Sequence, residues 1–516
     1  MPLKTPLLRL ATTALLLPAL SACSAPACDD LVAVGKAPAG LRIQVGEGER
    51  KRIGGDFFGF NLESVEFQLS LWDPKERRVH PEALEVLRSF EGAVYRFPGG
   101  TTANYYRWAD GTGDVRQRKA AKIVDWTDLP RIDFGVDEYL QFVRQAGGRA
   151  WYVLNLQGSL GKPAPVETLA REANQLAATL RERGAPMLRW ELGNELDRAN
   201  DMWPSAKYLA HARAVLRAVR AAEPDARFVG MMADYDAQAS RGVTASTYNR
   251  AVAEGLKDLG VVEFEQHLYY DGPPDGPPLP NRLRHLCRSI NDAVEAGIDR
   301  ERLAFWITEH ARWPRGEPGQ EWKRSWRKSA DLGAAIGMAD FIIAITQIPV
   351  VKGGALHSLH ATNGPWPLFH RPAGSSKAPL APSVTMHAYR LLHEAMLPVV
   401  LPSRSASAAR SGYDGGYDAR GAVFTAPDRS RFSVWAVNRD RDDIDVTLEL
   451  PEMALRTVTA RMTYLTADDD SAHNYDRPDT VVPRTAERRL SFNEKGAATF
   501  RLPARSVATL AFRAVP

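Results

Sequence analysis

Residues 190–197 read WELGNELD. An apolar run ends in Gly193, then in an amide, Asn194, and a carboxylate, Glu195. A second run, LAFWITE (303–309), ends in Glu309. A lone acid after a buried strand is most often a solvated loop residue. Two of them, each closing a buried strand, fit a different chemistry. Glycoside hydrolysis needs two carboxyls flanking the scissile bond, about 5 Å apart in the retaining mode, one donating a proton and the other attacking. The donor is then expected to have a raised pKa and the nucleophile to be ionised. Arg96, at the end of AVYRF, is a partner for the nucleophile's charge, and Tyr269 a hydrogen-bond donor to it. Asn194 suits a sugar hydroxyl. Asn155, His267 and Trp366 follow other strands and complete the candidate substrate-binding set; an indole at such a position can stack on the apolar face of a sugar.

These residues need a frame that brings strand ends together. Eight apolar runs supply one: FFGFNLE (57–63), AVYRF (93–97), AWYVLNL (150–156), LRWELGN (188–194), FVGMMA (228–233), EFEQHLY (263–269), LAFWITE and GALHSLH (354–360). They are apolar on both faces, as strands of a buried parallel sheet are. Helical stretches separate them; YLAHARAVLRAVRAAEP places Leu209, Ala212, Val215, Leu216 and Val219 on one stripe before Pro224. The pattern predicts an α/β fold, a (β/α)8 TIM barrel over 51–396, whose active site lies at the C-terminal ends of the strands. A doubly wound sheet is the competitor, but no Gly-rich phosphate loop follows the first strand. Beyond residue 396 the runs RFSVWAVNR, DIDVTLEL, VTARMTYL, AATFRL and SVATLAF alternate with period two, predicting a C-terminal antiparallel β-sandwich over 397–516. LRIQV, within 41–50, is expected to join it.

The chain has 516 residues, 44% hydrophobic and 25% charged, with net charge +4. No block of like charge suggests a nucleic-acid partner. Residues 1–22 have the basic, apolar and small-residue layout of an export signal. LSAC (20–23) resembles a bacterial lipobox, which makes Cys23 a lipid-attachment site and residues 23–40 a tether, in the outer membrane or periplasm; a plain secreted protein is the alternative. Cys28 and Cys287 then form one disulfide or remain two thiols. His357 and His360 would alternate faces on their strand and have no carboxylate beside them, so no metal is expected, and no cofactor. Arg312 and Arg315 follow Glu309 and could bind an acidic sugar. Oligomeric state is open.

At this point a resemblance becomes specific. GNE and WITEH resemble the acid/base and nucleophile segments of clan A retaining glycoside hydrolases. YRFPGGTTANYYRWADGTGDVRQR (95–118) is similar to the family 51 α-L-arabinofuranosidases, as are FFGFNLE and LPARSVATLAF. GFNLE with GNE also resembles the heparanase-like family 79 β-glucuronidases. The resemblance implies Glu195 as acid/base, Glu309 as nucleophile, Asn194 as substrate-binding amide and Arg96 as the strand-two arginine. It implies hydrolysis of terminal α-L-arabinofuranosides of polysaccharides or oligosaccharides by double displacement, with β-glucuronides second. TEHARWP departs from the Asp-Glu-Trp-Asn run common in the arabinofuranosidases, which bears on the sugar rather than the chemistry. A surface lipoprotein that only binds polysaccharide, and a metal hydrolase, are the readings from other classes.

Overall fold

The computed structural model describes residues 27–514 apart from 49, 119, 186, 199–201, 236–243, 273–275, 315–321 and 373–377. The signal segment, Cys23 and Arg315 lie outside the described residues.

The eight apolar runs form a closed parallel barrel: β1 (Phe58–Asn61), β2 (Val94–Phe97), β3 (Arg149–Leu154), β4 (Arg189–Leu192), β5 (Phe228–Met231), β6 (Glu263–Tyr270), β7 (Ala304–Arg312) and β8 (Val351–Leu356). Each pairs with its chain neighbour, and β8 pairs with β1. Val94, Trp151, Val229 and Trp306 pack together in a small buried cluster. The indole of Trp306 donates to Glu263, which also binds Arg189 and Arg227. Between β6 and β7 the register slips: Glu265 faces Trp306, but His267 faces Glu309. The extra residue in β7 brings both Thr308 and Glu309 to polar partners within the barrel, where strict alternation would send one of them outward.

The C-terminal unit is a sandwich of a seven-stranded and a five-stranded sheet around its own apolar core. Most pairings are antiparallel. Two are parallel, because the chain's N-terminal strands insert there: Val34–Lys36 beside Ser403–Ser407, and Leu41–Val45 beside Ile444–Glu449. Lys51–Arg52 also pairs with the sandwich, at Val399–Val400. The tether expected over 23–40 is therefore corrected: from Cys28 the chain is structured, as helix α1 (Cys28–Val32) and then sheet.

Cys28 forms a disulfide with Cys287 in helix α2 (Leu279–Glu295). The bridge spans 259 positions, so it restrains much of the unfolded chain. Cys287→Ser should lower unfolding stability by about 2–5 kcal/mol. Denaturant melts of the variant check this, and the same loss should appear in the native chain under strong reductant.

Helix α3 (Leu332–Thr346) is apolar on all sides and buried. It packs between the barrel strand β7 and the sandwich strand Arg431–Asn438, which accounts for its composition without a membrane. Its one acid, Asp340, binds Arg420 and Arg439 of the sandwich.

Candidate active site

Gly193 makes the turn out of β4 with φ +87°; a Cβ there would sit 2.8 Å from Leu196 Cδ1. Glu195 is also left-handed, at φ +47°, an uncommon conformation for a side-chain-bearing residue. This turn aims Glu195 across the barrel mouth towards β6 and β7. Asp197, two residues on, is fully buried and accepts hydrogen bonds from Arg198 and from the Asp234 backbone. It shapes the turn.

Glu309 is buried among donors. Arg96 Nη1 donates to its Oε1 at 2.8 Å and the Tyr269 hydroxyl to its Oε2 at 2.7 Å. Asn61 Nδ2 lies 3.4 Å from Oε1. Arg96 is itself held in a fork: Nε and Nη2 bind Glu191, Nη1 binds Asn61 and Nη2 binds Asn194 Oδ1 at 2.7 Å. That last bond turns the Asn194 amide so that Nδ2, buried and without a partner among the described residues, remains to donate. Asn104 Nδ2 holds the Asn194 carbonyl at 2.9 Å.

His267 stands between the two acids. Its Nδ1 is 2.8 Å from Glu195 Oε1 and 3.5 Å from Glu309 Oε2. One carboxylate oxygen of each acid and the imidazole nitrogen all lie within 4.8 Å of one another. Burial disfavours the charged imidazole, but Glu309, Glu265 and Glu195 outweigh it and raise His267 to about 9. Burial pushes Glu195 up, yet the Arg198 guanidinium and the His267 hydrogen bond more than offset it and hold the carboxyl below its usual range. Glu309 is likewise held low, against burial, by His267 and Arg96; His357 is neutral, pushed down to about 4 by burial. The raised acid expected of Glu195 is thus absent from the free protein. It is the imidazole beside it that is raised, because Glu309, Glu265 and Glu195 face that ring. With Arg96 and Arg198 turned towards them, Glu195 and Glu309 make a poor cation site.

Four residues beyond the sequence-derived set join the site. Asn61 and Glu63 come from the end of β1; Asn61 Nδ2 is 2.7 Å from His357 Nδ1, and Glu63 lies 3.8 Å from His357 Nε2. Burial, then Glu309, raise the Glu63 carboxyl well above its ordinary value. Glu191 and Glu265 lie below, inside the barrel. Asn61 and Glu63 end a strand as Glu195 and Glu309 do, and that signal could have found them. Glu191 and Glu265 sit within apolar runs, where nothing local marks them.

Asn155 has its polar atoms engaged by the protein. Its Nδ2 donates to Tyr106 O and Gly158 O, and its Oδ1 accepts from the Gln157 and Gly158 backbone. These bonds tie its own loop together and join it to the segment that follows β2. Trp366 lies at the mouth, with its ring 5.0 Å from Tyr269 and 5.3 Å from Trp313. Trp108 instead donates to Glu172 O, away from this group. Arg312 is bound to Asp331 at 3.0 Å. His360 is engaged by the Pro365 carbonyl and Thr362, so it and His357 do not converge on a common point.

Comparison with known proteins agrees with this geometry. The family model for the alpha-L-arabinofuranosidase 1 domain matches residues 86–182. A probable alpha-L-arabinofuranosidase C of Aspergillus flavus is 32% identical over 127 residues, 23% of this chain and 25% of that protein. An intracellular exo-alpha-(1->5)-L-arabinofuranosidase of Streptomyces lividans is 30% identical over 213 residues, 38% of this chain and 30% of that protein. The matches thus span between a quarter and a third of those relatives' length. Among solved structures, an alpha-L-arabinofuranosidase of Thermotoga maritima superposes with a TM-score of 0.71 at 17% identity, covering 92% of this chain and 100% of that one. A family 51 alpha-L-arabinofuranosidase of Bifidobacterium longum does so with 0.73 at 16%, with the same coverage. Over residues 86–182 this chain is similar to the alpha-L-arabinofuranosidase 1 domain, and in fold it is similar to solved family 51 α-L-arabinofuranosidases.

Proposed function

We propose that the protein is a retaining glycoside hydrolase that removes terminal α-L-arabinofuranosides from polysaccharides or oligosaccharides. The observation that carries the reaction type is the approach of Glu195 and Glu309 to within 4.8 Å. Retaining enzymes hold their carboxyls about 5–5.5 Å apart, whereas inverting ones leave about 6.5–9.5 Å for a water. In this reading the ionised Glu309 attacks the anomeric carbon as Glu195 passes a proton to the leaving oxygen. His267 supplies that proton to Glu195. Its own hold on the proton weakens as Glu309 gives up its charge to the new glycosyl–carboxylate bond, so donation and attack are coupled. Glu195 then takes a proton from the water that hydrolyses the ester and returns it to His267, while Glu309 leaves as the carboxylate. Asn194 Nδ2 is free to bind the hydroxyl next to the anomeric carbon.

The arabinofuranoside assignment leans on the relatives. The site's charges support a neutral sugar over a uronic acid: among the described residues at the mouth, Arg96, Arg198 and Arg312 are each committed to carboxylates of this chain. A panel of nitrophenyl glycosides tests both points. The α-L-arabinofuranoside should be cleaved fastest, with the first-formed sugar retaining its configuration by NMR. Preferential cleavage of the β-D-glucuronide would overturn the substrate, and an inverted product the mechanism.

We further propose that the protein is exported and lipid-anchored through Cys23. The lipobox-like LSAC carries this, and the Cys28–Cys287 disulfide suits an oxidising compartment. Cys23→Ser should move the protein from the membrane fraction to the soluble one; membrane retention of that variant would count against a lipid anchor.

A further inference from the structure

Glu265 is a fully buried acid that the reaction above does not use. It sits one layer beneath the catalytic pair, on the same strand and the same face as His267. Its Oε2 lies 3.3 Å from His267 Nε2 and 3.1 Å from the Thr308 hydroxyl, which is in turn 3.1 Å from the same imidazole nitrogen. The opposite ring nitrogen meets Glu195 at 2.8 Å. The chain of contacts is acid, imidazole, acid, running from the barrel interior to its mouth.

We propose that Glu265 is a positioning residue that holds the His267 ring through Nε2, so that Nδ1 keeps presenting a proton to Glu195. The inference rests on the reading of Glu195 as acid/base. The register slip between β6 and β7 supports it: the extra residue turns Thr308 inward to bridge Glu191, Glu265 and His267, an arrangement that regular pairing would not make. The charges around Glu265 are His267, Glu191, Arg96 and Arg198, with Tyr208 also facing it. Those around His267 are Glu309, Glu265 and Glu195, with neutral His357 beyond. Burial raises Glu265 to about 8. A negative Glu265, 3.3 Å from Nε2, is one of the charges that help the ring retain its proton.

Glu265→Gln separates this role from simple support. The amide fills the same space and its oxygen can still accept from Nε2–H, but it cannot become negative. Two substrates report the outcome: a 4-nitrophenyl glycoside, whose leaving group benefits from a proton, and a 2,4-dinitrophenyl glycoside, whose leaving group needs none. The alkaline limb of kcat/KM for the first should move about one pH unit acidward, a shift typical of removing one close opposite charge. The ratio of the two substrates' kcat/KM should then fall about tenfold above that limb. An unmoved limb, or equal loss on both substrates, would overturn the proposal. Nitrogen-15 NMR of the native protein is the second measurement: the His267 ring should stay doubly protonated at pH 8, and a neutral ring there would also overturn it. Glu195→Gln in the same assay distinguishes the two levels. If it fails to discriminate between leaving groups, the acid/base reading itself falls, whatever Glu265 does.

Discussion

Glu309→Gln should lower kcat by about four orders of magnitude or more, and Glu195→Gln should do so on substrates with poor leaving groups. The reason is geometric. Glu309 has Arg96, Tyr269 and Asn61 arranged around its two oxygens. A glutamine there retains the space but has no charge to attack with. Glu195 faces His267 and the mouth, so its loss removes the proton path and leaves the attack intact. The two variants therefore differ in their response to added azide. With Glu195→Ala and an activated aryl glycoside, azide should enter the gap and restore turnover, giving a glycosyl azide of retained configuration. With Glu309→Ala it should give the inverted one. Circular dichroism melts of both should match the native chain to within a few degrees. Near-normal activity in either variant, or the opposite azide stereochemistry, would dismantle the assignment.

Arg96→Met has the next largest effect, on stability and pH dependence together. Arg96 is buried and binds Glu191 and Glu309 at 2.7 and 2.8 Å. Breaking a buried pair by removing one partner costs about 3–5 kcal/mol, since the other is left charged and unpaired. Denaturant melts at pH 7 read that loss. Glu309 also loses one of the cations that hold its carboxyl low, so its folded pKa rises. The ionised nucleophile is then lost at a higher pH, and the acid limb of kcat/KM moves towards neutrality. The stability sign follows from the same shift. A carboxyl whose folded pKa rises binds protons better folded than unfolded, so the variant's deficit should be smaller at pH 5 than at pH 8. Arg96→Lys should recover little of this, because an ammonium cannot reach Glu191, Asn194, Asn61 and Glu309 from one planar fork. An unchanged acid limb in Arg96→Met would remove the arginine from the nucleophile's control.

Glu195, Glu309, Arg96, Asn194, His267, Tyr269 and Trp366 were all legible because each ends, or closely follows, an apolar run, and a barrel gathers the C-terminal ends of its strands. The same logic did not show that the Asn155 amide would be held by Tyr106 O and Gly158 O, which only the packing of two loops decides. It also left Asn61 and Glu63 unremarked, although both end a strand in the same way.

By itself, then, the sequence determined the eight barrel strands, the sandwich and most of the mouth. Periodicity and strand ends are local properties, and the barrel closes on them in only one way. The tertiary structure alone decided three things. It placed Val34–Lys36 into the C-terminal sheets, chose the strands that it and Leu41–Val45 pair with, and joined Cys28 to Cys287, pairings between segments hundreds of residues apart. It inserted the extra residue in β7 that brings Thr308 and Glu309 to the same interior. And it raised His267 while holding Glu195 low. A protonation state depends on the summed charges within a few ångströms, here from β2, β4, β6 and β7 and the turn after β4, and no spacing along one chain reports that sum.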